Sequence, residues 1–253
     1  MIRMRKRKLI IGVVAVVVCI CAVAAAACLI VGRENPGDDG SRNPQPEETP
    51  TPAVQAVEDA GLRRCLVGAF PDAFSEDADS DGTDAITDLV FPMLASEHAE
   101  DCGDLSKVRS LDGMQELSNL HNLDLGPMTA LDSGAPLADL TGLQQLNISQ
   151  TAITDIGFVS GMSELSQVAL PPTACDVSSL AGHDAIRSVS VGCASADIAA
   201  LDGMGVQIVV PAGFDAAKAR SSAATGNTVT VMNDDGNFDV YQLVDGEVTV
   251  SHV

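Results

Sequence analysis

The sequence predicts an α/β solenoid, a coil of short parallel strands joined by tight turns, and three observations support this prediction. First, two apolar residues separated by a single residue recur six times along the chain. Second, these pairs begin 19 to 23 residues apart, and self-similarity at such a period indicates a solenoid. Third, apolar residues at every third position precede several of the pairs. The six pairs are Leu123/Leu125, Leu146/Ile148, Val168/Leu170, Val189/Val191, Ile208/Val210 and Val229/Val231.

Each period divides into a strand, a turn and a return path. The alternating pair predicts a short strand with one face toward the core. The triplet spacing of Leu137, Leu140 and Leu143 predicts 3₁₀-like turns on the convex side, which bring every third side chain inward. Thr151 and Thr173 follow their strands at matching places, where a hydroxyl can satisfy backbone groups of neighbouring coils. Each period is therefore one coil of a leucine-rich repeat. The same inward place in the other coils falls on Met128, Ala194, Gly213 and Asp234.

Three stretches, at residues 108–125, 137–156 and 158–170, carry a resemblance to the internalin-like bacterial leucine-rich repeats. The resemblance covers about half of the chain and is specific for fold more than for function. It implies a small helical cap before the first coil, because an exposed first coil needs a lid. Residues 53–107 fit such a cap, with helices predicted in VEDAGLRRCLVGAF and TDAITDLVFPMLASEH.

The repeats are predicted to occupy residues 108–237, with a C-terminal β-hairpin over 238–253. Asp245-Gly246 lies between two alternating runs and predicts the hairpin turn. The segment DAAKARSSAA, from Asp215 to Ala224, predicts a helix on the convex side of the last full coil. Internalins usually continue into an immunoglobulin-like domain, and the hairpin stands at that place here.

The first part of the chain predicts a membrane anchor and a spacer. A basic tail (residues 1–8) precedes twenty-four uncharged residues (9–32), which are long enough to span a bilayer as a helix. A cleaved signal peptide after Ala24-Ala25-Ala26 and a lipid-modified Cys28 are open alternatives. All three place the C-terminal part outside the cytoplasm. The Pro-rich linker (33–52) predicts a semi-extended spacer of up to about 60 Å.

Charge narrows the classes of partner. From Arg33 onward the chain carries nine basic and thirty-five acidic residues. A surface this acidic repels phosphate backbones, so nucleic acid is excluded as a partner. The chain contains one Tyr, six Phe and no Trp, so it is poor in the residues that most often anchor ligands.

Four cysteines lie in the exported part, where oxidation is permitted. Cys65 and Cys102 bracket the cap, one in each helical segment, and we predict a disulfide between them. Cys175 and Cys193 are less favoured as a pair. Cys175 takes the inward place that Ile153 holds in its coil, whereas Cys193 lies in the turn before Ala194.

The predicted concave face is the candidate binding site, because solenoids bind through this extended surface. Its strip of outward residues is small, polar and free of aromatic side chains. Two interpretations stay open, a solvated face without a strong partner and a face of modest affinity for a protein or a glycan. The candidate binding residues are Asn122, Asp124, Gln145, Asn147, Gln167, Ser188 and Ser190.

Two function classes follow from this organisation. In the first, a membrane-anchored cell-surface repeat protein displays the solenoid to outside proteins or glycans. In the second, the solenoid is a structural or accessory scaffold subunit of an envelope membrane complex. An enzyme is not expected, because the sequence contains no G-x-S-x-G, P-loop, H-E-x-x-H or dinucleotide-binding motif. No cofactor is expected apart from the calcium considered next.

The stretch DADSDGTDAITD resembles a calcium-binding loop. Asp77, Asp79 and Asp81 alternate before Gly82, and Asp88 stands at position twelve. The loop departs from that pattern, because position eight is acidic and position twelve is not a bidentate Glu. These departures favour a solvated acidic loop, with Thr83 or Asp84 capping a following helix.

If the acidic loop binds calcium, millimolar calcium will raise the melting temperature of the protein, because binding to the native state stabilises it. Asp79→Ala will abolish that rise by removing one of the alternating carboxylates. Differential scanning calorimetry with and without calcium measures both effects. Titration calorimetry that detects no heat at millimolar calcium would establish the solvated loop instead.

Overall fold

The computed structural model describes residues 56–74 and 81–253, and within them nine strands form a single sheet in chain order. The predicted basic tail, membrane anchor and linker lie outside these residues. No helix in the described part of the chain is long and apolar enough to cross a membrane. The strands are β1 (Asp88–Val90), β2 (Asn122–Asp124), β3 (Gln145–Asn147), β4 (Gln167–Ala169), β5 (Ser188–Ser190), β6 (Gln207–Val210), β7 (Thr228–Met232), β8 (Phe238–Val244) and β9 (Glu247–His252).

The solenoid prediction is confirmed by the pairing of these strands. Strands β1 to β7 pair in parallel without a shift of register, so Leu123, Leu146 and Val168 stand side by side. All three side chains are buried, as are the second members of the six predicted pairs. Burying one such aliphatic side chain contributes roughly 1.5–3 kcal/mol, so each coil stabilises its neighbours through this shared row.

The return path also follows the sequence pattern. Short 3₁₀ turns lie opposite the strands, at Met114–Glu116, Ala135–Leu137, Gly157–Gly161, Ser178–Leu180 and Ile198–Leu201. Leu137, Leu140 and Leu143 are completely buried. The triplet spacing therefore reports a tightly wound convex side, as predicted.

The inward position after each strand differs from the prediction in four coils. Thr151 is buried as expected, and its hydroxyl donates to the carbonyl of Ile148 at 2.8 Å. Thr173 is exposed, although its hydroxyl donates to the carbonyl of Ile153 in the preceding coil. The turns contain different numbers of residues, so a fixed offset from the strand fails. The inward residues are Ala174, Cys193 and Phe214 in place of Thr173, Ala194 and Gly213. Asp234, the predicted inward residue of the last coil, is exposed in the turn between β7 and β8.

The cap contains one of the two predicted helices and a strand in place of part of the other. Helix α1 (Ala60–Ala69) begins at Asp59, whose carboxylate accepts hydrogen bonds from the first turn. The second predicted helix begins only at Phe91, so the prediction is wrong for the residues before it. Proline fits only the first turn of a helix, and Pro92 therefore fixes where this helix begins. The preceding residues form β1, so Thr83 and Asp84 do not cap a following helix. The short helices are α2 (Asp81–Asp84), α3 (Phe91–Glu97) and α4 (Ala99–Cys102).

The C-terminal hairpin closes the sheet as predicted. Strand β8 pairs antiparallel with both β7 and β9, and the β8–β9 turn places Asp245 and Gly246 at positive φ. The predicted convex helix is α5 (Ala216–Ala224). The guanidinium of its Arg220 lies 5.9 Å from the ring centre of Tyr241, which faces the core from β8. A cation–π contact therefore joins helix and hairpin.

One buried polar side chain, Asn227, ties α5 and the last parallel strands together. Its amide donates to the carbonyl of Leu201 and to the hydroxyl of Ser222, both at 2.9 Å. Its carbonyl oxygen accepts from the backbone N–H of Val206 at 3.1 Å. The side chain is 1% exposed, so water cannot replace these partners.

Asn227→Ala will lower the free energy of unfolding by about 2–4 kcal/mol, because it leaves the buried N–H of Val206 and the carbonyl of Leu201 without this hydrogen-bond partner. Equilibrium unfolding in urea measures the change. Gln207→Ala, at an exposed position on the neighbouring strand, is the control and should change stability by less than about 0.5 kcal/mol. A loss from Asn227→Ala no larger than that of the control would contradict this bridging role.

Candidate functional site

All seven predicted binding residues lie on the outer side of the sheet, in two rows that run across the strands, but Ser188 is buried there at 8% exposure. The row formed by the first residues of the strands, here called the first row, contains Asn122, Gln145, Gln167, Ser188, Gln207 and Thr228. The row formed two residues further along each strand, here called the second row, contains Asp124, Asn147, Ala169, Ser190, Val209 and Thr230. The parallel register therefore gathers residues that are far apart in the chain.

Asp124 and Asn147 in the second row bond mainly to the protein itself. The amide of Asn147 donates to the carboxylate of Asp124 at 2.9 Å. Asp124 also accepts from the backbone of Gly126, and Asn147 accepts from the backbone and hydroxyl of Ser149. These bonds fix the turns that follow β2 and β3. Both residues therefore have a structural role, and their capacity for further hydrogen bonds is reduced.

The first row is different, because its glutamines have no internal partners. The side chains of Gln145, Gln167 and Gln207 make no hydrogen bond within the described residues. Gln167 and Gln207 are exposed. Neighbouring strands are about 4.8 Å apart, so side chains on adjacent strands can reach the same ligand. A free amide both donates and accepts. The row can thus bond to a backbone or to another polar group laid across it.

Beyond β7 the same side of the sheet becomes apolar, which the sequence pattern did not show. The antiparallel register sets Thr230 beside Val240 and Met232 beside Phe238. Phe238 is half-buried and Met232 is 44% exposed. The predicted strip from β2 to β7 contains no aromatic side chain, but the hairpin extends it with Phe238. The missed signal was the alternation in FDVYQLV, which continues the sheet and turns every second side chain to this side.

The cap borders the opposite end of the face. Strand β1 adds Asp88 to the first row and Val90 to the second. Beside them, Pro92 on α3 packs close to Gly126. A Cβ atom added to Gly126 would lie 3.3 Å from the Cγ atom of Pro92. The cap therefore limits the face beyond β2.

The proposed calcium ligands are only partly described. Asp77 and Asp79 lie outside the described residues, Asp81 begins α2, and Asp88 begins β1. The carboxylate of Asp88 accepts from the hydroxyl of Thr87 at 2.7 Å. Within residues 56–74 and 81–253, no three His, Cys, Asp or Glu side chains cluster closely enough to hold a metal ion. Calcium binding by the loop stays a prediction.

Comparison with known proteins rests on structure. No family model matches the sequence, and no curated protein sequence matches it. An internalin (InlF) from Listeria monocytogenes is similar over 73% of this chain, with 21% sequence identity and a TM-score of 0.53. The fold is an internalin-like leucine-rich repeat. The matched region spans 55% of that internalin, or about half its length.

A second Listeria monocytogenes structure, internalin C2, matches 74% of this chain and 88% of its own. Its sequence identity is 18% and its TM-score is 0.40.

Two disulfides join parts of this internalin-like fold. Cys65 on α1 bonds to Cys102 at the end of α4, as the sequence predicts. Cys175 bonds to Cys193 in the next coil, and the lower expectation for this pair is wrong. Pro171 and Pro172 lengthen the turn, so Ala174 points inward and Cys175 is exposed. The inward Cys193 can then reach it from the neighbouring coil.

Removing the second disulfide by Cys175→Ser together with Cys193→Ala will lower the free energy of unfolding by about 3 kcal/mol. The reason is that the unfolded chain regains the entropy that closing a loop of this length removes. Urea unfolding of the oxidised proteins measures it. Ser195→Ala, which alters the same exposed turn and keeps the disulfide, is the control. Mass spectrometry after alkylation without reduction provides a second check, and extensive labelling of Cys175 and Cys193 would contradict the pairing.

Proposed function

We propose that this chain is a membrane-tethered binding module outside the cytoplasm, and that the concave face of its sheet takes a protein ligand. The observation that carries the proposal is the first row, in which Gln145 and Gln167 present free amides on the neighbouring strands β3 and β4, and Gln207 presents a third on β6. Solenoids of this kind use the extended sheet surface for recognition. The internalin-like fold supports the same choice of surface.

Placement outside the cytoplasm is supported by the cysteines. All four in the described part of the chain are paired as disulfides. Disulfides persist in oxidising compartments and are rare where thiols are kept reduced. The uncharged segment 9–32 supplies the tether in this proposal, and the Pro-rich segment 33–52 holds the repeats away from the membrane.

Charge sets the kind of ligand. The excess of acidic residues favours neutral or basic partners and disfavours anionic polymers. Recognition through uncharged amides gives orientation and specificity, while the surrounding carboxylates attract the partner over a longer range. Raising the salt concentration should therefore slow association, because counterions screen that attraction. We assign the module no catalytic role.

The partner can be identified by placing a photo-crosslinking residue at position 167 in the full chain on intact cells. We expect a crosslinked protein there and none from the same residue at position 132, a control site on an exposed connection away from the sheet. Crosslinking to a glycan would change the class of ligand. If the crosslinked protein is a membrane protein of the same cell envelope, the result would favour the scaffold function. Crosslinking at position 132 alone would contradict the proposal.

Gln145→Arg combined with Gln167→Arg will weaken binding of the crosslinked partner about tenfold or more, because two long cations replace neutral amides on the contact surface. Surface plasmon resonance on the full chain measures this. Both side chains point to solvent, so the unfolding transition should move little. These positions avoid the Asp124–Asn147 bonds, and so they separate a loss of contacts from a loss of structure. Unchanged affinity would exclude the first row as the binding site.

A further inference from the structure

The far end of the concave face carries a cluster of apolar side chains that the polar rows do not explain. Met232 on β7 stands directly opposite Phe238 on β8, and Phe238 exchanges backbone hydrogen bonds with Val253 at 2.8 and 2.9 Å. These side chains therefore lie next to one another on the solvent side. The cluster, here called the apolar patch, contains Met232, Phe238, Val240 and Val253.

The side chains of the apolar patch are buried at its centre and exposed at its edge, as in many protein-binding surfaces. Val240 is the most buried member of the patch at 5% exposure, and Phe238 is half-buried. Met232 and Val253 are 44% and 41% exposed at its rim. A contiguous apolar surface of this kind marks an interaction site more often than scattered exposed residues do. Methionine and phenylalanine are also enriched at protein interfaces.

The charge around the apolar patch is one-sided. The turn that joins Met232 to Phe238 carries Asp234 and Asp235, and both are exposed. Hydrogen bonds from the backbone and side chain of Asn237 lower the pKa of Asp235, so this carboxylate is charged at neutral pH. The basic residues between β6 and β9 are Lys218 and Arg220, and both lie on α5 behind the sheet.

We propose that the apolar patch is the anchor of the binding face, and that it takes a segment of a partner protein in which an aliphatic or aromatic side chain adjoins Lys or Arg. This inference rests on the proposed function, in which the concave face binds a protein. The apolar side chain of the partner covers Met232 and Phe238, and its cation pairs with Asp234 and Asp235. The free amides of the first row then orient the rest of the ligand.

A second copy of this chain fits the apolar patch poorly. A two-fold contact through Met232 and Phe238 would bring two acidic turns close to each other, and like charges across an interface cost affinity. A glycan or an anionic polymer fits worse, because the patch offers few donors and is flanked by carboxylates. The combination of an apolar centre with an acidic border therefore selects a basic and apolar protein segment.

A phage-displayed library of random dodecapeptides, selected on the immobilised full chain, tests this inference without knowledge of the natural partner. We expect the enriched peptides to combine Leu, Phe or Met with Lys or Arg. Met232→Glu should weaken their binding about tenfold or more, whereas Val67→Glu, at a similarly exposed apolar residue on α1, should leave it unchanged. Asp234→Lys should slow association and reduce its salt dependence, with Asp132→Lys as the matched control.

Several outcomes would overturn the inference. These are the enrichment of acidic peptides, the absence of any enrichment, and equal binding to the wild type and Met232→Glu. Peptides that lose binding on Gln145→Arg and Gln167→Arg but keep it on Met232→Glu would place the anchor in the first row. The proposed function would then stand while this inference falls. Failure of both sets of variants to alter binding would reject the concave face altogether.

Discussion

The unshifted parallel register from β1 to β7 is the constraint on which the rest of the structure depends. It aligns one aliphatic side chain from every coil, such as Leu123, Leu146 and Val168, into a continuous buried row. No single coil could bury its inner face, so each is stable only because it stacks on the next. The same register also fixes the outer face. Once Leu146 points inward, Gln145 and Asn147 must point to solvent, and the binding rows follow from the packing of the core.

Polar groups reinforce this stacking where aliphatic packing ends. Asn147 reaches across to Asp124 on the preceding strand, Thr173 bonds to the carbonyl of Ile153, and Asn227 joins α5 to two segments of the solenoid. Each bond connects neighbouring coils and not distant ones. Hydrogen bonding and hydrophobic burial therefore act in the same direction along the solenoid. The glutamines of the first row are different, since their amides bond to no other residue in the described part of the chain.

The repeating part of this structure could be predicted from the sequence, whereas its irregular parts could not. Six alternating pairs in phase were enough to predict the strands, the inward row and the seven candidate residues on the outer face. Turn lengths carry no such period, so the inward place of Cys193 and its pairing with Cys175 could not be read from a fixed offset. A three-residue strand before Pro92 looked like part of a helix, because it is too short to show alternation. Phe238 was missed because the alternation in FDVYQLV shows that every second side chain shares a face, but only the antiparallel register shows which face that is.

The covalent link between Cys175 and Cys193 also bears on how the protein responds to mechanical load. A pull applied between α1 and the C-terminal hairpin runs across the strands, so coils separate one after another instead of shearing together. The linked cysteines are 18 residues apart and enclose β5. Peeling can therefore lengthen the chain by about 60 Å less than it would without the link, at about 3.4 Å for each extended residue. The disulfide thus acts as a mechanical stop between the end that bears the cap and the end that bears the apolar patch.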